Sequence, residues 1–197
     1  GVKEMEKQGH FPSYIYRGYK TDIYEGGHRI PLIVSWKGKF SNETNNSLVS
    51  LTDFYAPFAQ MVNHKLKNEE AVDSYSIWPI LSKQGASNRK DLVYESGKGY
   101  LSLRTPQLKL VFNGGSGGWG YPNKPADLAQ LPPMQLFNLK EDPSEKENII
   151  HDKCYEQEVK EMTQLIRKYV KEGRSTPGAE VANDDENDGK QVNIFMQ

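Results

Sequence analysis

Apolar residues fall along this chain in short runs, and their spacing changes character near residue 85. Before that point the clearest run is residues 30–36, Ile-Pro-Leu-Ile-Val-Ser-Trp, whose close-set aliphatic residues predict a strand buried on both faces. Residues 48–51 read as a strand end, and Thr52 or Asp53 is a candidate N-cap for the helix that follows. Pro57 suits that helix's first turn, and Phe54, Phe58, Met61 and Val62 share one of its sides. Residues 1–19 and 63–74 read as polar loop, and residues 77–81 as a short buried turn or helix. After residue 85, the segments 92–95, 100–104, 108–112 and 135–139 are short runs bounded by Gly, Pro and Asn, which predicts strands of an antiparallel sheet. Thr105-Pro106-Gln107 is short enough for a hairpin connection. Residues 113–133, rich in Gly and Pro, predict an irregular insertion. Residues 156–172 carry helical periodicity, with Val159, Met162, Ile166, Tyr169 and Val170 on one face and Gly173 as terminator. Residues 184–189 are acidic and read as unstructured.

The expected fold class is α+β for this segment. Residues 1–84 form the end of a larger α/β unit, residues 85–175 a small four-stranded antiparallel sheet covered by a C-terminal helix, and residues 176–197 a polar tail. Composition narrows the function. A net charge of −1 over 197 residues argues against a nucleic-acid partner held by bulk charge. An apolar fraction of 36% is low for a self-contained globule and suits a segment that buries one side against a partner. The only cysteine, Cys154, gives no disulfide framework. No apolar run is long enough to span a bilayer. The histidines His10, His28, His64 and His151 show no metal-ligand spacing.

Charge and glycine concentrate in residues 17–31, where Lys20 and Arg29 bracket Gly26-Gly27 ahead of the apolar run. A cationic loop that turns sharply suits an oxyanion. The pattern Lys20-x-x-x-Tyr24-Glu25-Gly26-Gly27-x-Arg29-x-Pro31 resembles the second signature of type I sulfatases, of the alkaline-phosphatase superfamily. Trp36-x-Gly38, Leu51-x-Asp53, Asp73-Ser74, Arg104 with Lys109-Leu110, and Leu136-Phe137-Asn138-Leu139 with Asp142-Pro143-x-Glu145-x-x-Asn148 follow in the order that family shows. The chain departs from the pattern at Lys37, at Gln107-Leu108 and at Tyr19 beside the lysine.

The resemblance implies an alkaline-phosphatase-like α/β fold for the whole protein, with residues 1–84 as the end of its catalytic domain. It implies a sulfuric ester hydrolase acting on sulfated sugars of the N-acetylhexosamine 6-sulfate or glycosaminoglycan type, in a periplasmic or secreted setting. By resemblance Lys20 is the catalytic residue that binds sulfate and assists the leaving group. His10, Arg17, Asp22 and His28 are candidate substrate contacts, and Tyr24, Glu25, Gly26, Gly27 and Arg29 hold the loop's shape. Trp119 and Tyr121, in the glycine-rich segment 114–122, are candidates for a saccharide pocket. The family's Cys/Ser-x-Pro-x-Arg motif, source of its formylglycine nucleophile, does not occur here. The Asp-Asn metal pair of the family would precede Gly1, which is either native or a tag remnant. Formylglycine and calcium are therefore expected in a full-length enzyme, with no metal held by this segment alone. The segment's expected partners are the sulfated substrate and the missing N-terminal part of the catalytic domain. Two other readings stand beside this one: a non-catalytic carbohydrate-binding or interaction module derived from a sulfatase, and a phosphoesterase of the same superfamily.

Overall fold

The computed structural model describes residues 2–40, 42–83 and 85–182. Its elements run α1 (Val2–Lys7), α2 (Glu25–His28), a 3-10 turn (Leu51–Phe54), α3 (Tyr55–Met61), α4 (Trp78–Leu81), β1 (Leu92–Glu95), β2 (Leu101–Arg104), β3 (Leu108–Val111), α5 (Pro125–Leu128), β4 (Gln135–Asn138), a second 3-10 turn (Lys153–Tyr155) and α6 (Glu156–Glu172). The strands form one antiparallel sheet in the order β1-β2-β3-β4. The β2–β3 hairpin closes at Thr105, whose N–H donates to Leu108 O at 2.8 Å and whose hydroxyl accepts from Leu108 N–H at 2.9 Å.

Strand alternation gives the sheet two covered faces. Leu103, Leu108, Leu110, Phe112 and Leu136 point toward α6 and pack with Met162 and Ile166. Val111 and Phe137 point the other way, against Ile23 and Tyr24, with Leu139 and Tyr94 beside them. Each such fully buried aliphatic or aromatic side chain contributes about 1.5–3 kcal/mol. Gly173 ends α6 at φ 64°, a left-handed conformation that costs glycine little, and its N–H donates to Tyr169 O.

The second face is where residues 17–28 sit, so the lysine loop is mounted directly on the sheet. A buried ion cluster fixes it there. Glu25, 1% exposed, lies 3.2 Å from Arg104 Nε, 3.3 Å from Lys109 Nζ and 3.7 Å from Arg29 Nη1. Lys109 Nζ is also 2.9 Å from Glu145 Oε1, and Glu145 Oε2 accepts from Glu25 N–H at 2.6 Å. Burial raises the Glu145 carboxyl above its ordinary range, against the lowering pull of Lys109. Asp142 Oδ2 accepts from the N–H groups of Lys146 and Glu147, and Asn148 Oδ1 accepts from Leu136 N–H at 2.9 Å. The Asp-Pro-x-Glu-x-x-Asn run thus ties β4 to the loop.

A second polar hub organises residues 50–91. Asp53, wholly buried, receives Arg89 through Nε at 2.8 Å and Nη2 at 2.6 Å, together with the N–H groups of Ser50 and Tyr75. Such two-pronged guanidinium–carboxylate pairing is among the stronger polar contacts available to a protein.

Several sequence expectations are corrected. Residues 30–36 form no strand; Ile30, Leu32, Ile33 and Trp36 are exposed, Ile33 at 90%. No neighbouring strand among the described residues offers backbone partners to this run. Residues 2–7 are helical rather than loop. The cap of the turn before α3 is Ser50, not Thr52 or Asp53; Asp53 closes a capping box from the third position. Phe58, Met61 and Val62 face outward, while Pro57 and Ala59 are the buried residues of α3. The insertion 113–133 contains the short helix α5. The expected unstructured stretch 184–189 lies outside the described residues.

Removing Lys109 strands two buried carboxylates. Lys109→Ala is expected to destabilise the protein by about 3–5 kcal/mol. Lys168→Ala, which removes an exposed pair with Glu172 on α6, is expected to cost about 0.3–0.5 kcal/mol. Urea denaturation of the two variants checks the contrast.

Candidate active site

Lys20 stands at the tip of the loop formed by residues 17–22. Its side chain is exposed and makes no hydrogen bond or ion pair among the described residues. Everything around it is fixed. Asp22 is 1% exposed, and its carboxylate accepts from Tyr19 N–H at 3.0 Å and Gly120 N–H at 2.7 Å. Thr21 has φ 81°, a conformation that a β-branched residue adopts at a cost of about 1–3 kcal/mol. It is held there from two sides: Gly97 N–H donates to Thr21 O at 2.8 Å, and Trp119 N–H donates to Thr21 Oγ1 at 3.2 Å. Ile23 N–H donates to Ser116 O at 2.8 Å. Strain maintained by surrounding bonds, next to an exposed cation, marks this loop as the candidate site.

Gly26 and Gly27 let the loop fold back on itself. A Cβ on Gly26 would strike the carbonyl oxygens of Gly18 and Arg17, and one on Gly27 would strike that of Asp22. Both lie in α2, so close backbone approach, not a left-handed turn, is what excludes side chains here.

The other expected site residues divide by exposure. His10 is exposed, after the left-handed Gly9. Arg17 is committed: its guanidinium lies 3.9 Å from the Tyr24 ring centre, and Nη1 donates to Glu145 O at 2.8 Å. Tyr24 is buried, its hydroxyl donating to Gln135 Oε1 at 3.1 Å, and burial pushes its pKa up to about 12. Asp22 spends its carboxylate on main-chain donors and holds the loop. His28 stacks on Tyr94 with ring centres 4.5 Å apart. Burial, then the nearby Lys109 charge, lowers its pKa to about 4, and its Nε2 is buried without a hydrogen-bond partner. Trp119 and Tyr121 are 74% and 75% exposed, in the segment that bonds directly to the Lys20 loop. Sequence reasoning missed Lys109 and Glu145 as the partners that hold Glu25. The signal was present, since both stand in the matched motifs, but a lysine between two leucines in a strand reads as solvent-facing.

The site offers an exposed ammonium on a hydrogen-bonded loop, and the segment that bonds to this loop carries two exposed aromatic rings. Among the described residues no three or more His, Cys, Asp and Glu side chains gather where they could hold a metal ion.

No family model matches the chain. An N-acetylgalactosamine-6-O-sulfatase of Bacteroides thetaiotaomicron is 31% identical over 158 residues, covering 80% of this chain and 30% of that protein. Human arylsulfatase A is 28% identical over 149 residues, covering 70% of this chain and 29% of that protein. A structure from work on the metabolism of multiple glycosaminoglycans by Bacteroides thetaiotaomicron superposes with a TM-score of 0.69 at 28% identity, over 84% of this chain and 34% of that one. The chain belongs to the sulfatase family and spans about a third of the length of these relatives.

The lowered pKa of His28 sets a pH dependence. In the unfolded chain the ring protonates near 6.5, and in the folded protein only near 4. The neutral ring's contribution to stability is therefore complete above pH 6.5 and is lost as pH falls toward 4. Thermal melts across that window are expected to show a falling Tm in the wild type, and a flatter profile in His28→Phe.

Proposed function

We propose that this chain is the C-terminal part of a sulfatase that hydrolyses sulfate esters of sulfated sugars, and that Lys20 is its contribution to the reacting group. One observation carries the reading: an exposed, unpaired ammonium stands on a strained loop locked to a sheet, within the motif that the sulfatase resemblance marks as sulfate-binding. The name of the N-acetylgalactosamine-6-O-sulfatase, and the glycosaminoglycan metabolism to which the superposed structure relates, support a sulfated sugar as substrate.

Cleavage at sulfur leaves negative charge on the bridging oxygen as the alcohol departs. A fixed cation beside that oxygen or the nonbridging ones stabilises the charge as it forms. Lysine suits this role as a compact charge with rotatable donors, able to hand a proton or hydrogen bond to the leaving oxygen. The sheet's contribution is preorganisation: with Thr21, Asp22 and Ile23 already bonded, little reorganisation remains when substrate binds. His10, exposed upstream of the loop, is a second candidate contact to the leaving alcohol. The attacking group and the metal ligands are assigned to residues outside 1–197; formylglycine and calcium belong to that part of the protein.

The exposed apolar surface supports the same division. Ile30, Leu32 and Val34 line a cleft of about 760 Å³, walled on the sheet side by His28, Val93 and Tyr94, and Ile33 and Trp36 of the same run are also exposed. We assign this surface to contact with the remainder of the catalytic domain, which would supply the backbone partners that residues 30–36 lack here.

In the full-length protein, Lys20→Ala is expected to lower kcat/KM for a sulfate ester by about 10²–10³-fold, as loss of one preorganised contact does. Lys37→Ala, an exposed lysine outside the loop, is expected to stay within about twofold, the scale of a surface change. Equal losses would remove Lys20 from the site. The purified 197-residue chain is expected to show no turnover of 4-nitrophenyl sulfate, and activity above background would refute the assignment of the nucleophile elsewhere.

A further inference from the structure

Trp119 and Tyr121 carry rings open to solvent in a segment whose backbone is hydrogen-bonded at Gly118, Trp119 and Gly120. Their exposures are 74% and 75%. Yet Trp119 N–H donates to Thr21 Oγ1 at 3.2 Å, Trp119 O accepts from Asn123 Nδ2 at 2.6 Å, and Gly120 N–H donates to Asp22 Oδ1 at 2.7 Å. Gly120 O accepts from Ser116 Oγ at 2.7 Å, and that hydroxyl accepts from Gly118 N–H at 3.1 Å. Gly118 and Gly120, on either side of Trp119, permit this approach. A Cβ on Gly118 would lie 2.5 Å from Asp22 Oδ1, and one on Gly120 2.9 Å from Asp22 Cγ.

Exposed single aromatics are ordinary on protein surfaces. These two differ in being held by the residues that hold Lys20. Asp22 accepts from the N–H of Tyr19, next to the lysine in sequence, and from the N–H of Gly120, the residue between Trp119 and Tyr121 in sequence. Ring positions and ammonium position are therefore coupled through one buried carboxylate. A flat apolar ring face with its negative π charge matches the C–H face of a pyranose ring, and fixing it in advance removes ordering cost on binding. The rest of the segment adds polar groups at the edge, with Lys98 Nζ 3.4 Å from Asn123 O.

We propose that Trp119 and Tyr121 form a carbohydrate-stacking ledge that receives a pyranose ring of the sulfated saccharide while Lys20 engages its sulfate, with Asp22 as the positioning residue that sets their spacing. The ledge rests on the sulfatase reading, and it makes the enzyme selective for sulfated sugars over simple aryl sulfates.

The test compares two substrates in the full-length protein: an oligosaccharide containing N-acetylgalactosamine 6-sulfate, and 4-nitrophenyl sulfate. Trp119→Ala is expected to raise KM for the oligosaccharide at least tenfold more than KM for the aryl ester, with Trp119→Phe restoring most of the difference and Tyr121→Ala acting in the same direction. Because both rings are exposed, Tm should change by little. Equal effects on the two substrates, or an unchanged oligosaccharide KM in both alanine variants, overturn the ledge while leaving Lys20 in place. Failure of the wild type to hydrolyse either ester removes the sulfatase reading and the ledge with it.

Discussion

Glu25 is a carboxylate with 1% of its surface exposed, and Arg104, Lys109 and Arg29 surround it, so the cost of taking a carboxylate out of water is offset by three nearby cations. Two of those cations come from β2 and β3, the third from the loop's own end. The pairing across the sheet face decides where the lysine loop can sit. Ile23 and Tyr24 follow, inserted against Val111 and Phe137, and Glu145 closes the cluster from the segment after β4. Hydrophobic burial on that face would tolerate small slides of the loop. Charges with fixed partners at 2.9–3.3 Å do not.

From this follows the division of labour along the chain. The four-stranded sheet is a plate with α6 packed on one face and the lysine loop on the other. The cost of holding Thr21 at φ 81° is met by bonds from Gly97 and Trp119, residues that belong to the sheet's connections. The loop carrying Lys20 and the sheet unit that follows it are thus one mechanical body, although the sequence pattern separates them at residue 85. What that body leaves exposed is an ammonium, two aromatic rings and the apolar residues Ile30, Leu32 and Ile33.

Much of the sheet and of α6 could be read from the sequence, because both depend on periodicities that local burial enforces. Leu108, Leu110 and Phe112 alternate with Lys109 and Val111, and the helix repeats its apolar face through Val159, Met162 and Ile166. Residues 30–36 failed the same reading. Their apolarity reports burial, but burial needs partners, and what the described residues supply is partial: Trp36 packs edge-on against Phe40 and Trp78, while Ile30, Leu32 and Ile33 stay exposed. Ser50 was overlooked as a cap because the choice among Ser50, Thr52 and Asp53 turns on which oxygen meets which N–H, a matter of one residue's register. Lys109 was hidden for a related reason: strand alternation places it opposite the leucines, and only the arrival of Glu25 from far along the chain makes that second face an interior. The clamp between Asp22 and Gly120, residues 98 apart, is likewise a tertiary fact. Family motifs marked Lys20 without revealing what holds it.

The most direct test is an experimental structure of the full-length protein with a sulfated saccharide bound. The account predicts the Lys20 ammonium within hydrogen-bond distance of a sulfate oxygen, about 2.7–3.2 Å, with the loop still seated on Glu25, Lys109 and Glu145. A sulfate bound elsewhere, with Lys20 directed into bulk water, would contradict it.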